Sequence, residues 1–181
     1  FTVHTTSNIL DQTIRQNAEW DELRTVVLGI STDRGAVPKL ADAYDPTTRR
    51  TIMQDRFPSD DALDQSLDSF RAVLEKEGVQ VLRPKNVHGV DQIFARDVGF
   101  VIDDLLVASS MIKDRKREWE GVAPLLGNLK ILQPPAEVRV EGGDVLVLPH
   151  ALIVGYSDEQ EMQQFKTART NRAALDWLRQ Q

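Results

Sequence analysis

Val138-Arg139-Val140-Glu141-Gly142-Gly143-Asp144-Val145-Leu146-Val147-Leu148, with Ala151-Leu152-Ile153-Val154 close behind, decides the reading of the fold. Short apolar runs rich in β-branched residues read as strands. The stretch therefore predicts strands at 138–140, 145–148 and 151–154, with Gly142-Gly143 as a two-residue turn joining the first two. That turn is flanked by two carboxylates, Glu141 and Asp144.

Working back along the chain, the same arrangement appears at Val98-Gly99-Phe100-Val101-Ile102, then Asp103-Asp104, then Leu105-Leu106-Val107-Ala108. Here too an acidic motif, Phe94-Ala95-Arg96-Asp97, stands at the edge of an apolar run. Further strands are expected at 23–30, 79–82 and 129–132. A helix is expected over 60–77, where Leu63, Leu67, Phe70 and Leu74 recur on one face between Pro58-Ser59 and Gly78. A second is expected over 113–126, with Trp119, Val122 and Leu126 on one side, and a third from about 167, with Ala173, Leu175, Trp177 and Leu178 as its apolar residues. Residues 33–57 read as a loop containing one helix over 47–57. Strands and helices alternate, so the fold class is α/β, with a structural repeat of roughly 50 to 60 residues. The last repeat lacks a closing strand, so the 181 residues are expected to form a single domain that is the N-terminal part of a longer protein.

Composition narrows the function. Hydrophobic residues at 41% and charged residues at 28% suit a globular chain, and 22 basic against 28 acidic residues give a net charge of −6. The one basic cluster, Lys113-Asp114-Arg115-Lys116-Arg117, has acidic neighbours, so nucleic acid is not an expected partner. No apolar run approaches the roughly 20 residues of a membrane span. Residues 1–6 show no signal-peptide pattern. With no cysteine there is neither a disulfide nor a thiolate metal site, which fits a reducing, cytoplasmic setting.

Carboxylates at strand ends are what a site for a guanidinium needs, because that planar, permanently charged group donates hydrogen bonds in pairs. Asp97 and Glu141 are placed to supply them. Attack on a guanidinium carbon also needs a nucleophile and a proton carrier, commonly Cys and His. His4, His88 and His150 are the only histidines, all in polar or loop contexts, and His150 is nearest to a strand end. Taken alone, each acidic motif also has a plain reading, as a turn or a surface ion pair.

Taken together, the motifs resemble a family. Asn17-Ala18-Glu19-Trp20-Asp21, leading into Leu23 to Gly29, is similar to the opening of the glycine and inosamine-phosphate amidinotransferases, with one Ala interrupting the pattern. Gly78 to Pro84, Arg96-Asp97 with the following strand, Met111 with Arg115 and Glu118, Glu141-Gly142-Gly143-Asp144, and Arg169-Thr170-Asn171 then match the arginine deiminase and amidinotransferase superfamily in order. The resemblance implies the pentein fold, a propeller of five ββαβ units, of which about three are here. It implies that Asp97 binds the substrate guanidinium and that Glu141, the catalytic candidate, binds it too or orients a histidine. Asp144 supports the loop at the substrate site, Arg115 and Arg169 meet a substrate carboxylate, and Asn171 helps shape that pocket. No metal or other cofactor is implied. The implied substrate is a small guanidine such as arginine, and the implied partner is a further C-terminal segment or second chain carrying the Cys and His. Transfer of the amidino group to an amine is the first reading and hydrolysis the second. A non-catalytic half-propeller that binds guanidines, and covers its open edge by a partner or by self-association, is the third.

Overall fold

A computed structural model describes residues 14–181 of the chain, so residues 1–6 and His4 lie outside the described residues. Strand β1 (Thr25–Val27) runs parallel to β2 (Gln80–Leu82), with Val26 opposite Val81. Between them come α1 (Pro46–Met53) and α2 (Asp60–Lys76). Asp45 caps α1 by accepting from Thr48 N at 2.7 Å, and Pro46 occupies the first turn, where its missing N–H costs nothing. Ser59 caps α2, Asp60 and Asp61 follow in its first turn, and Gly78 ends it with φ +82°.

Leu63, Leu67 and Leu74 of α2 are half-buried. None of its residues is buried, Phe70 is 53% exposed and Val73 57%. Two strands of three residues each offer too little surface to cover a 17-residue helix.

Strand β3 (Gly99–Ile102) pairs antiparallel with β4 (Leu105–Ala108), and β4 pairs in parallel with β5 (Ile131–Leu132). Residues 95–98 are not a lead-in to β3 but a single helical turn, α3 (Ala95–Val98), which carries Asp97. The helix expected over 113–126 shrinks to α4 (Glu118–Val122) followed by a 3₁₀ turn, Ala123–Leu125. Pro124 has no N–H to continue the ladder, and residues before Glu118 form tight turns in which Arg115 N donates to Ile112 O at 2.9 Å.

Strands β6 (Val145–Leu148) and β7 (Ala151–Val154) pair antiparallel. The strand expected at 138–140 does not pair with β6, and Gly142-Gly143 is not a hairpin turn. Gly142–Asp144 form a 3₁₀ turn, and Val140 O and Arg139 O accept from Ser110 N (2.8 Å) and Asn171 N (2.9 Å) instead. Gly142 permits this course: a Cβ there would fall on Arg96 O, so the absence of one lets the stretch cross directly over α3. Helix α5 (Glu159–Gln164) is additional to the expected elements, and the capping box of Asp158 and Glu161 marks its start. The final helix, α6 (Arg172–Leu178), begins after Asn171 rather than near 167.

Two apolar clusters hold these pieces together. One joins Phe100 and Val107 to Val138, Val140, Val145, Ala174 and Leu178; the other joins Val98, Leu106 and Met111 to Val122 and Leu126. The chain is thus α/β with three short, open sheets among the described residues. No described helix is long and apolar enough to cross a membrane.

Candidate active site

Each acidic residue of interest is adjacent in sequence to a packed apolar one. Asp97 precedes buried Val98, Glu141 follows buried Val140, and Glu118 precedes the half-buried Trp119. Packing of the two apolar clusters therefore sets where these carboxylates lie.

They converge on Arg115. Its Nη1 donates to Asp97 Oδ2 at 2.8 Å and reaches Glu141 Oε2 at 3.5 Å, while its Nε and Nη2 hold both oxygens of Glu118 at 2.5 and 2.7 Å. Arg169 Nη1 donates to Glu141 Oε2 at 2.6 Å. Glu118 and Glu141 are each only 3% exposed. Three carboxylates thus face two guanidiniums, and with all three ionised one negative charge is left over.

Two acceptor oxygens have no donor among the described residues. Glu141 Oε1 is buried without a partner, and Asp97 Oδ1 points at the backbone of Gly143, where a Cβ would fall on it. A buried carboxylate oxygen without a donor costs about 1–3 kcal/mol, so a vacant acceptor of this kind calls for an explanation. Arg169 Nε is also buried and unpartnered.

Burial pushes the Glu118 carboxyl up to about 7 even though Arg115 pulls it down. Burial likewise raises Glu141 against the pull of Arg169 and Arg115. Arg115 stays charged, because the hydrogen bonds to Glu118 and Asp97 raise its pKa despite burial.

A second layer holds the Gly-Gly turn. Arg96 clamps Glu19 with two bonds, at 2.8 and 3.2 Å, and donates to Gly142 O (3.0 Å) and Val145 O (2.6 Å). Ser109 Oγ accepts from Gly142 N at 3.0 Å. Glu19 thereby ties the 17–21 segment to the turn, which is a structural task for the motif that resembles an amidinotransferase opening.

Of the six residues singled out from sequence, Asp97, Arg115, Glu141 and Arg169 come together. Asp144 sits one layer away, accepting from Thr170 Oγ1 at 2.6 Å, while that hydroxyl accepts from Glu141 N at 3.2 Å. Asn171 is outside the cluster: it caps α6 by accepting from Ala174 N and Arg139 N, and donates to Glu137 O. Glu118 and Thr170 carry contacts that sequence reading did not assign. Glu118 stands in the motif with Met111 and Arg115, and its spacing of three from Arg115 is the signal the sequence offers for their pairing. His88 and His150 are exposed and contact none of these residues. No group of His, Asp or Glu among the described residues is arranged to hold a metal ion.

No protein-family model matches the sequence, and the curated proteins compared with it give no match. Solved structures do match. An amidinotransferase of saxitoxin biosynthesis from Microseira wollei aligns over 93% of this chain and 59% of its own, at 18% identity and a TM-score of 0.60. The inosamine-phosphate amidinotransferase of Streptomyces griseus aligns over 91% and 58%, at 17% identity and 0.61. The N-terminal domain of a cyanobacterial arginine dihydrolase aligns over 88% and 54%, at 17% identity and 0.65. This chain is similar in fold to all three, which are pentein proteins, and it spans 54 to 59% of their length.

Proposed function

We propose that the chain is the guanidinium-capturing part of a guanidine-modifying enzyme of the pentein type, and that its three sheets are units of a partial α/β propeller. One observation carries the reading: the acidic cluster around Arg115 is already built for a guanidinium, and it leaves Glu141 Oε1 and Asp97 Oδ1 without donors. A substrate guanidinium supplies paired N–H groups to both oxygens.

The chain contains no cysteine, so in this reading the thiolate and its histidine come from a segment or chain outside these 181 residues. The thiolate attacks the guanidinium carbon, the bond to the substrate's side-chain nitrogen breaks, and that nitrogen leaves as an amine after taking a proton. The amidino group, now a thioether of the cysteine, passes to an acceptor. Glu141 and Asp97 hold the carbon in reach and keep its charge matched throughout. An amine acceptor is the first choice, from the likeness of residues 17–29 to the amidinotransferase opening. Water is the second, because the matched structures include an arginine dihydrolase and a dimethylarginine dimethylaminohydrolase; in that route a terminal guanidine nitrogen takes the proton and leaves as ammonia or an alkylamine in place of the side-chain nitrogen, and water then displaces the cysteine sulfur to release the ureido product.

The test is to supply a Cys- and His-bearing C-terminal segment, in trans or as a longer reading frame, and to assay with arginine alone and with an added amine. Ornithine with an amidinated amine supports transfer, and citrulline or ornithine with ammonia supports hydrolysis. A folded complex that turns over no guanidine sinks the enzyme reading.

A further inference from the structure

Glu118 offers nothing to a substrate directly, yet it sets which way the nearest cation points. It opens α4 and is buried. Its N–H donates to Arg115 O at 2.9 Å, so the two residues share one tight turn. Both of its carboxylate oxygens are spent on Arg115, accepting from Nε at 2.5 Å and from Nη2 at 2.7 Å.

Helix α4 is itself fixed from behind. Buried Gln92 accepts from Val87 N at 2.7 Å and donates to Lys85 O at 3.0 Å, and its side-chain amide lies where a Cβ on Gly121 would fall. Lys85 N donates to Gly121 O at 2.9 Å, and Val122 packs in the second apolar cluster. Packed backbone thus places Glu118, and Glu118 places the Arg115 side chain.

A guanidinium is planar, and a carboxylate binds it best along a paired edge. With the Nε–Nη2 edge given to Glu118, Nη1 is the nitrogen that meets the other carboxylates, donating to Asp97 Oδ2 at 2.8 Å and reaching Glu141 Oε2 at 3.5 Å. Asp97 Oδ1 and Glu141 Oε1 are left without donors among the described residues. Released from Glu118, the same fork is free to turn a paired edge onto Asp97 or Glu141 and take the oxygens that a substrate guanidinium needs.

We infer that Glu118 is a positioning residue of the guanidinium site: by holding the Nε–Nη2 edge of Arg115 it limits this internal cation to one nitrogen against Asp97 and Glu141, and so keeps their remaining oxygens open for the substrate. The inference rests on the guanidinium reading above, and it adds to that reading a device that stops the chain's own arginine from filling the site.

Methylguanidine is titrated into the 181-residue chain, Glu118→Gln, Glu118→Asp, Arg115→Gln and the Arg115→Gln/Glu118→Gln double variant, at about pH 8, above the range where Glu118 titrates. Circular dichroism verifies folding. Glu118→Gln weakens binding about tenfold or more, the worth of a charged hydrogen bond that Arg115 then takes from the ligand, and Glu118→Asp weakens it less. In the Arg115→Gln background there is no fork to misplace, so adding Glu118→Gln changes affinity by less than about twofold. In the unliganded chain the Arg115 Nε–H resonance moves upfield in Glu118→Gln, while the amides of the two apolar clusters keep their positions. Wild-type binding that Glu118→Gln leaves unchanged overturns the inference and leaves guanidinium capture standing. So does an equal loss in both backgrounds, which makes Glu118 a distant charge, and so does a general shift of the cluster amides, which makes it structural. Should Glu118→Gln not fold, Glu118→Asp decides in its place: a loss of affinity supports the inference, and wild-type affinity overturns it. No methylguanidine binding by the folded wild type overturns guanidinium capture itself, and this inference with it.

Discussion

Glu141 carries the most at the residue scale, because it touches Arg115 and Arg169 with one oxygen and keeps the other unpartnered and buried. Glu141→Gln removes the only carboxylate that Arg169 meets among the described residues, so it is expected to lower stability by about 1–3 kcal/mol in urea unfolding. Gly143→Ala acts on the neighbouring oxygen. Gly143 is exposed and its backbone is unstrained, but a methyl group there falls on Asp97 Oδ1. It is expected to weaken guanidine binding about tenfold or more while shifting stability by less than about 1 kcal/mol. Gly142→Ala meets the backbone at Arg96 O and is expected to cost about 1–3 kcal/mol.

Protonation divides stability from binding at this same scale. Burial in the folded state raises Glu118 to about 7 from its ordinary 4.5, so folding favours its protonated form. The stabilisation is then fully present below pH 4.5 and is lost as pH rises toward about 7; Glu141 shifts in the same direction. Urea midpoints should therefore fall between pH 5 and 7.5, and Glu118→Gln should flatten that slope. Guanidine affinity should run the other way, rising with pH as Glu141 ionises.

At the scale of elements, the loops carry more of the site than the strands do. Asn171 serves α6 and the 137–139 backbone at once, so Asn171→Ala should cost about 2 kcal/mol, at the upper end for a cap, measured by thermal melting. Phe70→Ser, on the exposed side of α2, should change stability by no more than about 0.5 kcal/mol. Much of this level was legible in the sequence. The hydrophobic periods marked β3, β4, β6, β7 and α2, and Ser59 and Gly78 bounded α2 closely. The period did not reveal that α2 has too little sheet beneath it, since burial depends on what a helix packs against. Nor could Gly142-Gly143 be told from a hairpin turn locally: what holds the turn is Arg96, 46 positions away, whose Nε donates to Gly142 O.

At the scale of the whole molecule, the described residues join three short open sheets through two apolar clusters and set a cluster of charge among their loops. Of the six residues singled out from sequence, Asp97, Glu141 and Arg169 meet there because each is next to a buried residue, and Arg115 joins them through its bonds to Asp97 and Glu118. Their partners were harder to read. The carboxylates looked like a receptor for an external cation, yet the first cation they hold is Arg115, a residue of the chain itself.

Guanidinium capture is the central claim, and it is tested by titrating the isotope-labelled chain with methylguanidine and following amide shifts. Saturable shifts at Asp97, Glu141 and Gly143 are expected, with affinity falling about tenfold or more in both Asp97→Asn and Glu141→Gln. Shifts confined to other surfaces, or affinities unchanged in both folded variants, would contradict the account.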